Sequence, residues 1–128
     1  AIKDDVTNVL GAETNHFAHL NSIENIMLNK ASNVEFKECK VENIFNEVKN
    51  SFDAVILDPP RSGLDNKTIN YIIDNIPNKV IYISCDPVTL ARDLNKLCVK
   101  YNIESIKLFD MFPNTYHVET VCILKCTN

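Results

Sequence analysis

Lys79-Val80-Ile81-Tyr82-Ile83-Ser84-Cys85-Asp86-Pro87-Val88-Thr89-Leu90-Ala91-Arg92-Asp93-Leu94 passes from a strand into a helix within a few residues. The run up to Ser84 is rich in β-branched and aromatic residues, as a buried strand requires. Asp86 has the chemistry of an N-cap and Pro87 that of a first helical residue. Beyond them Leu90, Leu94, Leu97 and Tyr101 share one stripe and predict a helix from Pro87 to Tyr101. Cys85 stands at the junction. A cysteine between a strand end and a helix mouth is placed like a nucleophile, because the partial positive charge of the helix end favours thiolate over thiol. The position also suits a small apolar residue closing a buried strand, and the local sequence leaves both readings open.

The same alternation extends in both directions. Val6 to Gly11 reads as a short strand, and His16 to Lys30 as a helix with Phe17, Leu20, Ile23 and Met27 on one face. Asn33 to Lys40 reads as a strand and Val41 to Asn50 as a short helix. Phe52 to Asp58 is an apolar strand closed by Pro59-Pro60. Asn66 to Ile76 is a helix that turns Ile69, Ile72, Ile73 and Ile76 inward. After the Cys85 segment, Ile103 to Phe109 and His117 to Lys125 are strands whose short connection suits an antiparallel hairpin. Strands alternating with helices predict an α/β fold, a mostly parallel, Rossmann-like sheet with right-handed crossovers and a C-terminal antiparallel hairpin.

Ligands of such sheets sit beyond the carboxyl ends of the strands. Those ends carry Glu13, Asp58 and Cys85. An antiparallel last strand would start on the same rim, with His117-Val118-Glu119. Acids and a cysteine from separated parts of the chain thus converge on one edge, which favours the nucleophile reading of Cys85.

Composition narrows the chemistry. At 128 residues the chain fits one domain with a real core, and its hydrophobic share of 45% is ordinary for a globular protein. No apolar stretch is long enough to span a membrane, and no basic start precedes an apolar run. Five cysteines without a Cys-x-x-Cys pair argue for reduced thiols in a cytoplasmic protein rather than a disulfide or zinc framework. The net charge of −4 is not a basic footprint, so nucleic-acid contacts would need a local patch or other parts of the protein. Gly11 and Gly63 are the two glycines, so a G-x-G-x-x-G loop is absent.

Individual motifs carry unequal weight. Asp58-Pro59-Pro60-Arg61 delivers a carboxylate from a buried strand to the rim, where it could accept hydrogen bonds from a cofactor amine or a base edge. Glu13 is placed where nucleotide-binding folds hold a ribose hydroxyl, or is a solvated loop acid. Glu119 could act as a general base, or pair with a lysine on a strand surface. His16 and His19 have a metal-compatible spacing, but with no third ligand nearby they read as a solvated helix face.

Three stretches together resemble the S-adenosylmethionine-dependent RNA uracil-5-methyltransferases, which make 5-methyluridine in tRNA and rRNA. They are Leu57-Asp58-Pro59-Pro60-Arg61-Ser62-Gly63-Leu64-Asp65, Tyr82 to Asp93, and Asp110-Met111-Phe112-Pro113-Asn114-Thr115-Tyr116-His117-Val118-Glu119-Thr120-Val121. The resemblance runs from about residue 9 to the C-terminus. It implies that the Cys85 thiolate attacks carbon 6 of uracil, that carbon 5 then takes the methyl group, and that Glu119 removes the carbon 5 proton before the cysteine leaves. It implies cofactor contacts for Glu13 and Asp58, an RNA partner, and a uridine drawn out of its stack. The Leu-Ala-Arg-Asp and Asp-Met-Phe-Pro stretches are closer to the rRNA enzymes than to the tRNA ones.

The departures are specific. Asp86 stands where the family more often has Asn, which keeps the capping chemistry. The family's Gly-rich loop and first central strand, and the RNA-binding barrel of many members, would lie upstream of Val6. Residues 1–128 are therefore expected to be one partial catalytic domain, in which the strands at Val6 and Phe52 pair directly, leave a gap or recruit another chain. Lys40 falls where many methyltransferases place an acid or amide toward adenine. Two other functions remain open: methylation of an exocyclic amine of nucleic acid, and a non-catalytic interaction role.

Overall fold

The structure is a computed structural model that describes residues 4–47 and 52–127. The chain divides into two compact units, Ala1–Lys49 and Asn50–Asn128. The first contains β1 (Val9–Glu13), α1 (His16–Leu28), β2 (Val34–Glu38) and α2 (Val41–Glu47). β1 and β2 pair in parallel, with Glu13 aligned to Glu38 at their carboxyl ends. Asn15 caps α1, its side chain accepting the Ala18 N–H at 3.0 Å. The sequence pattern placed the first strand two to three residues too early and ended it before Glu13. It also predicted an inward stripe on α1, yet Phe17, Leu20 and Met27 are 75%, 48% and 69% exposed. The reason is area: a two-stranded sheet offers too little apolar surface to cover the stripe of a 13-residue helix. The end of the expected Val41–Asn50 helix, residues 48–50, lies outside the described residues.

The second unit holds β3 (Ala54–Leu57), α3 (Asn66–Asn75), β4 (Lys79–Ser84), α4 (Pro87–Leu97), β5 (Tyr101–Phe109) and β6 (Glu119–Cys126). Its sheet runs β3-β4-β6-β5, with β3 and β4 parallel and β6 antiparallel to both β4 and β5. The expected α/β order and terminal hairpin are therefore present. The direct pairing of β1 with β3 does not form; β1 and β3 belong to separate sheets.

Side chains alternate along β4 and β6, and one face carries the core: Leu57, Val80, Tyr82, Cys122 and Leu124 under Ile69, Ile72, Leu90, Leu94 and Leu97 of α3 and α4. Val80, Tyr82, Ile72, Leu97, Cys122 and Leu124 have no exposed surface, and burial of an Ile or Leu side chain contributes about 1.5–3 kcal/mol. Burial also pushes the Cys122 thiol up to about 11.

The helix expected to reach Tyr101 stops at Leu97, with Cys98 as its C-cap. Tyr101 is instead the first residue of β5 and is buried, its hydroxyl donating to Pro77 O at 3.0 Å. A three-residue turn leaves the apolar spacing unbroken across the helix end, so periodicity alone carries the helix too far.

Candidate active site

The rim of the second unit is built by three loops that leave β3, leave β4 and enter β6. Ser84, the last residue of β4, shapes the first bend: its Oγ donates to Asp86 O at 2.9 Å and accepts the Asp86 N–H at 3.1 Å. This pins the peptide that carries Cys85, whose thiol is free and half-buried. Asp86 then caps α4, its Oδ1 accepting the N–H groups of Val88 and Thr89 at 2.9 Å each. The hydrogen bond from Thr89 N–H is the main cause that holds this carboxyl below the usual range, with Val88, the Thr89 hydroxyl and the Arg61 guanidinium adding to it against desolvation. The first free donors of the helix are thus spent on Asp86, one residue beyond the thiol.

Strand register places the partners. Ser84, the last residue of β4, is opposite Thr120, so Cys85 leaves β4 at the edge where Glu119 opens β6. Glu119 is half-buried, opens β6 and faces Phe109 of β5 on its other side. Leu57 is level with Tyr82, so exposed Asp58 leaves β3 one residue below the end of β4. Asp58, Cys85 and Glu119, chosen from the sequence, come to the same edge. Glu13 belongs to the first unit. It is half-buried at the end of β1, and its Oε1 accepts the Asn15 N–H at 2.7 Å.

The loop after Asp58 is held from below. Gly63 N–H donates to Pro60 O at 2.9 Å, and Gly63 has φ +74°, a conformation that favours glycine. Arg92 Nη2 donates to Ser62 O at 2.9 Å. Leu64 N–H donates to Asp93 Oδ2 at 2.7 Å, the Tyr82 hydroxyl donates to the same oxygen at 2.8 Å, and Arg92 Nε donates to Oδ1 at 2.9 Å. Asp93 is fully buried. Three hydrogen-bonding partners, one of them cationic, are what a buried carboxylate requires. Burial, and then the Asp93 carboxylate, push the Tyr82 phenol up.

Above the loop, Arg61 Nη2 donates to His117 Nδ1 at 3.0 Å. The His117 ring lies against Tyr116, centroids 4.2 Å apart and planes tilted by 44°, and meets Phe112 edge-on at 6.3 Å. Arg61 thus links the β3 loop to the segment that carries Glu119. Sequence reading missed both the Asp93 network and the Arg61–His117 contact. The adjacent Arg92-Asp93 pair beneath an inward Leu stripe was the available signal for the first.

No cluster of three metal-ligating side chains occurs among the described residues. His16 instead pairs with Glu38 at 3.0 Å.

The tRNA (uracil-5-)-methyltransferase family matches residues 5–127. An uncharacterized RNA methyltransferase of Thermosynechococcus vestitus is 39% identical over 121 residues, covering 93% of this chain and 27% of the relative. One from Mycoplasma mobile is 42% identical over 125 residues, covering 94% of this chain and 33% of the relative. The chain therefore spans about a quarter to a third of the length of these curated relatives. Among solved structures, the Pyrococcus abyssi tRNA (uracil-54, C5)-methyltransferase in complex with S-adenosyl-L-homocysteine superposes with a TM-score of 0.83 at 36% identity, covering 96% of this chain and 30% of that one. An rRNA methylase from Streptococcus thermophilus shares the fold, with a TM-score of 0.73 at 12% identity over 99% of this chain and 78% of that one.

Proposed function

This chain belongs to the tRNA (uracil-5-)-methyltransferase family, and from that premise we propose that it is the reaction-bearing part of an enzyme that methylates carbon 5 of a uridine in RNA. The observation that carries the reading is the pairing of Ser84 with Thr120, which brings Cys85, just past β4, and Glu119, the first residue of β6, to one sheet edge, with Asp58 at the adjoining strand end. A nucleophile and a base carried on one edge suit a single substrate ring that both can reach.

Each group has a defined task. Carbon 5 of uracil is a poor nucleophile. The Cys85 thiolate adds to carbon 6 and leaves an enolate that is electron-rich at carbon 5. After carbon 5 is methylated, Glu119 takes its proton, the carbon 5–carbon 6 double bond re-forms and the Cys85 sulfur departs. Asp58, exposed at the end of β3, accepts hydrogen bonds from the base or the methyl donor. The His117–Arg61 contact holds the segment before Glu119 against the Asp58 loop.

Within the first unit, Glu13 fits S-adenosylmethionine in kind: it is an acid at the end of β1 just before a helix, the position from which nucleotide-binding sheets hold ribose hydroxyls. When bound, S-adenosylmethionine supplies an electrophilic methyl group on its sulfonium. The family match and the 36%-identical tRNA enzyme both weigh toward tRNA as the substrate, against the rRNA lean of the local motifs.

The test uses the complete protein with labelled methyl donor and RNA containing 5-fluorouracil. A covalent protein–RNA adduct is expected, and it is lost in Cys85→Ala. Methyl transfer that survives Cys85→Ala would overturn the covalent route in favour of an exocyclic-amine target. Absence of any transfer by the complete protein would leave only a non-catalytic role.

A further inference from the structure

The loop between β5 and β6 exposes large side chains in quick succession: Met111 at 64%, Phe112 at 51% and Tyr116 at 88%. The Tyr116 ring is nevertheless braced. It rests on His117 at 4.2 Å, and His117 is in turn held by the Phe112 edge at 6.3 Å and by the Arg61 Nη2 donor at 3.0 Å. The turn beneath is fixed by Thr115, whose Oγ1 donates to Phe112 O at 2.8 Å and accepts the His117 N–H at 3.2 Å. We propose that this loop is a stacking surface for single-stranded RNA, on which Tyr116 and Phe112 receive bases next to the reacting uridine.

Three observations select that occupant. An aromatic face binds any base by stacking, whatever the sequence, and bracing removes the cost of ordering the ring on binding. The surface leads directly along the chain from Tyr116 to Glu119, the candidate base. A uridine drawn out to reach Glu119 leaves its neighbours without a stacking partner, and the exposed rings supply one. Charge then decides how the strand is held. The chain carries a net charge of −4, so long-range electrostatics do not draw in a phosphate backbone. Base faces must provide the attraction, with the Arg61 guanidinium to meet a phosphate.

This inference rests on the RNA substrate proposed above, and its test does not require methyl transfer. The complete protein, without S-adenosylmethionine, is titrated with a short single-stranded RNA that carries 2-aminopurine beside a uridine. Quenching of the 2-aminopurine on binding is expected. Tyr116→Leu should bind about tenfold more weakly, the scale of one lost base–aromatic stack, and lose the quench. Tyr116→Phe, which keeps the ring, should retain both. Because Tyr116 is exposed, the leucine variant leaves the fold untouched. Unchanged affinity and quenching in Tyr116→Leu would overturn the proposal. So would a Tyr116→Leu variant that loses self-association in sedimentation while binding RNA normally, since that assigns the rings to a protein partner. A complete protein that binds RNA through Tyr116 but never methylates it upholds the surface and sinks the proposed activity.

Discussion

The backbone N–H of Leu64 donates to Asp93 Oδ2 at 2.7 Å, joining the loop that follows Asp58 to the helix that follows Cys85. The two residues lie 29 positions apart, and the carboxylate is wholly buried. The bond therefore fixes the loop after Asp58 relative to the helix after Cys85 through a group that makes no contact with solvent. Arg92 strengthens the link by holding Asp93 and Ser62 O at once.

Asp93→Ala should destabilise the protein by about 3 kcal/mol, because it leaves the Tyr82 hydroxyl and the Leu64 N–H buried without an acceptor. Asp93→Asn keeps an acceptor oxygen and should lose less. Urea denaturation measures both. Equal stability of Asp93→Ala and the unsubstituted protein would show that the network adds nothing.

Gly63→Ala tests the same loop from the other side. A Cβ there would stand 2.5 Å from Asp93 Oδ2 and 2.6 Å from Arg92 Nη2, at φ +74°. Strain of that kind costs roughly 1–3 kcal/mol. The variant should melt earlier and should also lose methyl transfer, since the displaced loop carries Asp58 and Arg61. A variant with normal melting and normal turnover would contradict the picture.

Glu119→Gln separates proton removal from the earlier steps. The methylated cysteine adduct on RNA should form and persist, with turnover slowed by about a hundred- to ten-thousandfold. Trapping the adduct by denaturing electrophoresis reads this directly. If Glu119→Gln turns over normally, the base lies elsewhere.

Alkaline pH should weaken the fold in a defined window. Burial raises the Cys122 thiol from 9.0 to about 11 and the Tyr101 phenol from 10.0 to about 12. A group whose folded pKa is raised contributes stability that is complete below its unfolded value and is lost as pH climbs toward the folded one. The urea midpoint should therefore hold up to about pH 9 and fall steadily above it, until the values near 11 and 12 are passed. Replacing Cys122 with Val should flatten the first part of that decline. A midpoint independent of pH across this range would refute the assignment.

The sequence made the second unit legible where each element carried its own signal. The bounds Lys79–Ser84 were readable because an apolar alternation ended in a cap and a proline, and the structure keeps them. Cys85, Asp58 and Glu119 could be placed because parallel strands end on a common edge and a short connection forces β6 to begin there. Tyr101 was misread because a helical stripe and a following strand can share one spacing. α1 was misread because an amphipathic pattern states which face should be buried, not whether a large enough surface exists to bury it. The Arg61–His117 contact spans 56 positions and leaves no trace in any local window.

The position of β6 has a consequence for how the site comes into being. It lies between β4 and β5, although both precede it in the chain. While a ribosome is still making residues 110–118, β4 and β5 have no ladder between them and Ser84 has no Thr120 opposite. Of the described strands the last to be made is the one that closes this sheet, so the edges that carry Cys85 and Glu119 meet in a single late event.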